Sequence, residues 1–200
     1  MISELYADAI KSIAKSNAKM IKDEQYLYHV VDNTYNDADE LLSKYGICSP
    51  KDLYKLDKKL FHRRVYDNYH ERAEMGLHKT SIKDEDILTW LDTCRLPCTS
   101  KCVFFSFATI KEFGFDTSTS VQLQIPLTTI QKYAVGQPII FLGKTQTLTT
   151  IDKLANDLSS LSKKAIKGSR TANNNKLKYK YIIHPAIPLD PIPLKECIIL

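Results

Sequence analysis

The feature that most constrains this chain is the spacing of its strand-like segments. Residues 26–31, 102–107, 121–126, 138–142 and 179–184 form short apolar or alternating runs. Val121, Leu123 and Ile125 alternate with Gln122 and Gln124, the period of a half-exposed strand. Residues 103–107 and 139–142 are nearly continuous apolar runs, as in strands buried on both faces. A long stretch of helical spacing follows the first strand, and the other strands come late. The expected fold is therefore α+β: a single domain, helix-rich in its N-terminal half, with a mixed or antiparallel sheet in its C-terminal half.

The helical signals are specific. Leu5, Ala9, Ile10, Ile13, Ala14 and Ile21 recur behind Ser3 and predict an amphipathic helix over 4–22, within an N-terminal segment 1–25. Asp37 opens a helix that turns Leu41 and Leu42 inward and ends at Gly46, where a left-handed C-cap suits glycine. Ser49 and Pro50 restart helix, with proline at the first helical position. Leu53, Leu56, Leu60, Phe61, Val65 and Tyr69 continue the stripe to Gly76, with a break near Asp57. Ser81 with Asp84 and Glu85 reads as a capping signature for a helix carrying Ile87, Leu88, Trp90 and Leu91. Thr150 caps a last helix through Leu154, Leu158, Leu161 and Ile166, closed by Gly168. The core domain is read as 26–184. After it, Pro185, Pro188, Pro191 and Pro193 predict an extended, polyproline-like tail over 185–200.

A chain of 200 residues with 44% hydrophobic content can bury one sizeable core. No apolar run approaches the ~18 residues of a membrane span, and the N-terminus lacks the apolar stretch of a secretory signal. Five cysteines, an odd number, suit a reducing compartment. These signs together predict a cytoplasmic protein. Charge is unevenly spread: residues 1–100 carry net −2 and residues 101–200 carry net +7. The excess lies in Lys163, Lys164, Lys167, Arg170, Lys176, Lys178 and Lys180. Such a run either attracts phosphates, on nucleic acid, cofactor or anionic lipid, or is a solvated flank of a strand.

Metal and acid-base constellations are thin. Cys94, Cys98 and Cys102 would need Cys48 or His78 to complete a zinc site, and the usual knuckle spacing is absent, so no metal site is assigned. His62, His70 and His78 recur every eight residues, which drifts off one helix face. His70 and Glu74 form a pair one turn apart.

Several of these segments resemble the ADP-ribosyltransferase-like superfamily, in the branch of poly-ADP-ribose polymerases, DarT-type toxins and RNA 2′-phosphotransferases. Leu27-Tyr28-His29 resembles the Leu-Tyr-His of the family's first strand, with Val31 where a small or hydroxylated residue is usual. Gly46-Ile47 matches a following Gly-Ile step, and residues 102–106 stand where the family has Gly-Ile-Tyr-Phe-Ala. The resemblance implies NAD as cofactor, with His29 on its ribose and Phe105, Ser106 and Lys180 nearby. The final strand, residues 178–184 before Ile187-Pro188-Leu189, aligns but lacks the catalytic glutamate, whose place Lys180 takes. A carboxylate there would support the cationic sugar formed as nicotinamide leaves, so the catalytic residues stay unassigned. The phosphotransferase branch works with arginines and a histidine instead; Arg64, Arg72, Arg95 and Arg170 are the basic residues available.

The last four residues, Cys197-Ile198-Ile199-Leu200, fit a prenylation box. Lipid on Cys197, with the basic run as second signal, would bring the protein to an anionic membrane in a eukaryotic cell; the alternative is an apolar segment packed on the domain. Three functions follow: an NAD-dependent transferase, toxin or effector, acting on a protein or nucleic acid; a prenylated interaction module without catalysis; or a phosphate- or nucleic-acid-binding protein.

Overall fold

The computed structural model describes residues 25–33, 36–95, 99–113, 120–142, 145–174 and 183–200, without the side chains of 94, 95, 99, 142 and 170–174. The helix read over 4–22 lies outside the described residues. The fold is α+β, and the described residues form two antiparallel sheets.

Strand β1 (Tyr26–Asp32) is followed by helices α1 (Ala38–Tyr45), α2 (Pro50–Leu56) and α3 (Lys58–Phe61). A π-helical turn, His62–Tyr66, runs directly into α4 (Asp67–Leu77). Next come α5 (Asp84–Trp90), β2 (Cys102–Phe104), α6 (Ile110–Phe113), β3 (Ser120–Pro126) and α7 (Leu127–Tyr133). The chain closes with β4 (Ile139–Leu142), β5 (Thr145–Leu148), α8 (Ile151–Asn174), β6 (Ile183–Pro188) and β7 (Ile198–Ile199). One sheet has the order β1-β3-β7 and the other β2-β6-β4-β5.

Register follows the side-chain period. Pairing Leu27 with Ile125 and His29 with Leu123 puts Leu27, Val31, Leu123 and Ile125 into one continuous core with Leu42, Leu60, Phe61, Leu154 and Ile187. The helix starts obey local chemistry. Ser49 Oγ accepts from Asp52 N at 3.2 Å with Pro50 at the first position. Asp57, extended at the expected break, accepts from Leu60 N at 2.9 Å and starts α3. Thr150 Oγ1 likewise accepts from Lys153 N at 3.2 Å at the start of α8.

Several expectations are corrected. The cap of α5 is not Ser81: the helix starts after Lys83, whose N–H donates to Asp86 Oδ2 at 3.0 Å. Helix α4 ends with His78, not Gly76, in the left-handed conformation. Gly168 does not close α8, which continues to Asn174 because Ala165 and Ser169 stay buried on its inner face.

The largest correction concerns residues 185–200. They are a folded part of the domain, not an extended tail. β6 is a central strand between β2 and β4, and its prolines fit because their carbonyls carry the bonding: Phe105 N donates to Pro185 O at 2.8 Å and Val135 N to Pro188 O at 3.0 Å. Beyond it, Ile47 and Ile192 exchange two backbone bonds of 2.9 Å. Glu196 accepts from both Lys132 and Tyr133 at 2.7 Å, and β7 pairs with β3. Ile192, Leu194 and Cys197 are buried. This C-terminal strap therefore ties α1, α7 and the first sheet together.

Candidate functional site

The site begins where the two sheets part. Tyr28 and Ser106 exchange backbone bonds of 3.0 and 2.7 Å, so β1 touches the strand that contains β2 at one bridge. In an antiparallel ladder the next closely bonded pair lies two residues on, which would be Val30 with Phe104. Instead the chain at Phe104 turns its other edge to β6, and the ladder with β1 stops. The Phe104 carbonyl, which faces β1, is taken by His29 Nδ1 at 2.8 Å. His29 thus plugs the fork between the sheets, its ring edge-on to Phe105 at 5.8 Å.

This bond sets the chemistry of the ring. A carbonyl only accepts, so Nδ1 carries the proton and Nε2 is left as an acceptor. Desolvation holds the His29 pKa below the ordinary imidazole value; the Phe104 bond opposes it and the Arg64 charge adds to it. The imidazole is neutral near pH 7.

The fork opens into a cleft of about 480 Å³, in the size range of small-molecule sites. One wall is the end of β1 with His29 and Asp32, and the other is formed by Leu53, Arg64, Asn68, Tyr69 and Arg72 on helical turns together with Cys48 in the loop before α2. Burial pushes the Cys48 thiol up to about 12, so it lines the wall as an apolar group rather than a nucleophile.

The helical wall is fixed by one buried carboxylate. Asp37 stands at the helix-opening position read from sequence but does not cap α1; Asn33 Oδ1 accepts from Ala38 N at 3.1 Å instead. The Asp37 side chain, 3% exposed, pairs with Arg64 and lies 2.7 Å from Arg63 Nε. The wide π turn brings both neighbouring arginines to the same carboxylate. Arg64 also donates from Nη2 to the Asp32 carbonyl at 2.7 Å, which ties the end of β1 to the helices.

Of the residues read from sequence, the structure brings His29, Arg64 and Arg72 to one cleft. Phe105 and Ser106 are not in its lining: Phe105 is buried behind His29, and Ser106 Oγ donates to Ala108 O at 2.9 Å. Lys176, Lys178 and Lys180 lie outside the described residues. Lys163, Lys164 and Lys167 are exposed on α8, away from the cleft lining; of Arg170 only the backbone, in α8, is described. His62, Tyr66 and His70 stack in series, at 4.2 and 5.5 Å between centroids, and His70 Nδ1 meets Asp67 O at 3.2 Å rather than Glu74. Cys197 is 1% exposed, with its thiol pushed up to about 12 by burial. In this fold the sulfur is not presented to a prenylating enzyme. Sequence reasoning missed Asp37 as a clamp, Asn68 and Tyr69; the four-residue spacing of Arg64, Asn68 and Arg72 was the available signal.

No family model, curated protein or solved structure matches the chain. Fold and site define it by geometry alone: an α+β domain whose two antiparallel sheets diverge at a histidine and open an arginine-lined cleft.

Proposed function

We propose that this cleft binds NAD, and that the chain is an ADP-ribosyltransferase-like protein in which His29 holds the cofactor ribose. The observation that carries this reading is the neutral His29 ring at the head of a cleft about 480 Å³ in volume, its Nδ1 engaged and its Nε2 left as an acceptor. A ribose hydroxyl is a donor of the kind that nitrogen takes. Phe105 and Ser106 act behind the site, supporting the ring and the bridge to β1, rather than on the cofactor. The reading covers binding; no carboxylate is assigned as the catalytic group.

Calorimetric titration of wild type and His29→Ala with NAD tests it. Saturable binding to wild type that is lost in the variant, with both proteins folded by circular dichroism, is the expected result. Absence of binding to the folded wild type would refute it.

A phosphate-rich acceptor is favoured by a separate observation, the exposure of Lys163, Lys164 and Lys167 on one stretch of α8. Retention on single-stranded nucleic acid that falls steeply with salt and is weakened by Lys163→Glu with Lys164→Glu would support it. Burial of Cys197 weighs against the lipid-tethered reading.

A further inference from the structure

Among the described residues the cleft is lined by two arginines, and their charges are not equally available. Arg64 is committed: its guanidinium pairs with Asp37 and donates to the Asp32 carbonyl. An incoming anion would have to compete for that guanidinium with a carboxylate that is 3% exposed. Arg72 is the opposite case. It is exposed, lines the cleft, and makes no ion pair or hydrogen bond among the described residues. The acid in the cleft lining, Asp32, lies at the Arg64 end. Arg72 is eight residues further along the helix, roughly 12 Å at 1.5 Å per residue, and about a Debye length at moderate salt. The cleft is therefore polarised, with a spent cation and an acid at one end and a free cation at the other. Between them Asn68 is held by its own bond to the Arg64 carbonyl at 2.7 Å.

We propose that Arg72 is the phosphate anchor of this cleft, selecting a nucleotide whose sugar hydroxyl meets His29 Nε2 while a phosphate oxygen meets the Arg72 guanidinium. This rests on the reading of the cleft as a nucleotide site, but it does not depend on the nucleotide being NAD. The planar guanidinium can give a phosphate two parallel hydrogen bonds, which a lysine cannot reproduce.

The test is titration of wild type, Arg72→Gln, Arg72→Lys and His29→Ala with NAD and, separately, with ADP. Loss of a charge-assisted contact in Arg72→Gln should weaken binding roughly 10- to 100-fold, with Arg72→Lys intermediate and the melting temperature unchanged because the residue is exposed. If NAD binds wild type and Arg72→Gln equally but is lost in His29→Ala, the anchor is overturned while the NAD reading stands. Should ADP bind in an Arg72-dependent way and NAD not at all, the anchor stands and the NAD reading falls. No binding of either nucleotide to folded wild type overturns both.

Discussion

Replacing Gly46 with alanine is the sharpest test of how the C-terminal strap is held. Gly46 has φ 68° and ψ −146°, a backbone region that L-residues occupy at a cost of about 1–3 kcal/mol. A methyl group added there would stand 2.0 Å from the Ile192 carbonyl oxygen and 2.9 Å from its carbon, with Pro193 Cα at 3.1 Å. All three are backbone atoms, so no side chain can swing aside. Relief requires the strap to move, and that breaks the two 2.9 Å bonds between Ile47 and Ile192, each contributing roughly 0.5–1.5 kcal/mol. Together these give about 2–6 kcal/mol, a large part of the 5–15 kcal/mol that holds a typical domain. At roughly 2–4 °C per kcal/mol for a chain of this size, a mid-range loss of about 4 kcal/mol lowers the melting temperature by about 8–16 °C. Gly136→Ala is the control: the three atoms nearest its added carbon are Pro188 side-chain carbons, the closest at 3.1 Å, and it should cost about 1 kcal/mol or less. The assay is thermal unfolding followed by circular dichroism. A Gly46→Ala midpoint within about 2 °C of wild type would show that residues 189–199 do not brace the domain as described.

Other outcomes follow from the same geometry. Asp37→Ala leaves Arg64, whose side chain is 12% exposed, without its counter-charge and should cost about 3–5 kcal/mol in urea unfolding; a loss below about 1 kcal/mol would refute the clamp. The folded-state pKa of His29 is lowered, so the unfolded chain takes up the proton first as pH falls through about 6.5. Its contribution is complete above that pH and declines below it. Stability measured from pH 7.5 to 5.5 should therefore fall more steeply in wild type than in His29→Gln, and equal slopes would disprove the assignment. Alkylation of Cys197, followed by mass spectrometry of the cleaved peptide, should be far slower in the native protein than in denaturant; rapid native labelling would contradict its burial.

Sequence alone determined those features whose physics is local. Leu123 and Ile125 point into the core as their alternation predicts, though Gln122, read as exposed, is buried too; Ser49-Pro50 and Asp57 start helices by local chemistry, and Gly46 ends one at a positive φ, with ψ −146° rather than a left-handed cap. His29 was legible as a strand residue of interest, and Arg64 and Arg72 as unassigned cations. Their convergence was not, because it depends on strand divergence after the Tyr28–Ser106 bridge and on the π turn that directs Arg63 and Arg64 to Asp37. The same holds for residues 185–200. Four prolines and an apolar end read locally as an extended tail, since proline lacks a donor for a strand interior. Only the tertiary fold supplied neighbours that need carbonyls from Pro185 and Pro188, and a core surface that buries Ile192 and Cys197. Burial and pairing between segments far apart in the chain decide such cases, and no local pattern encodes them.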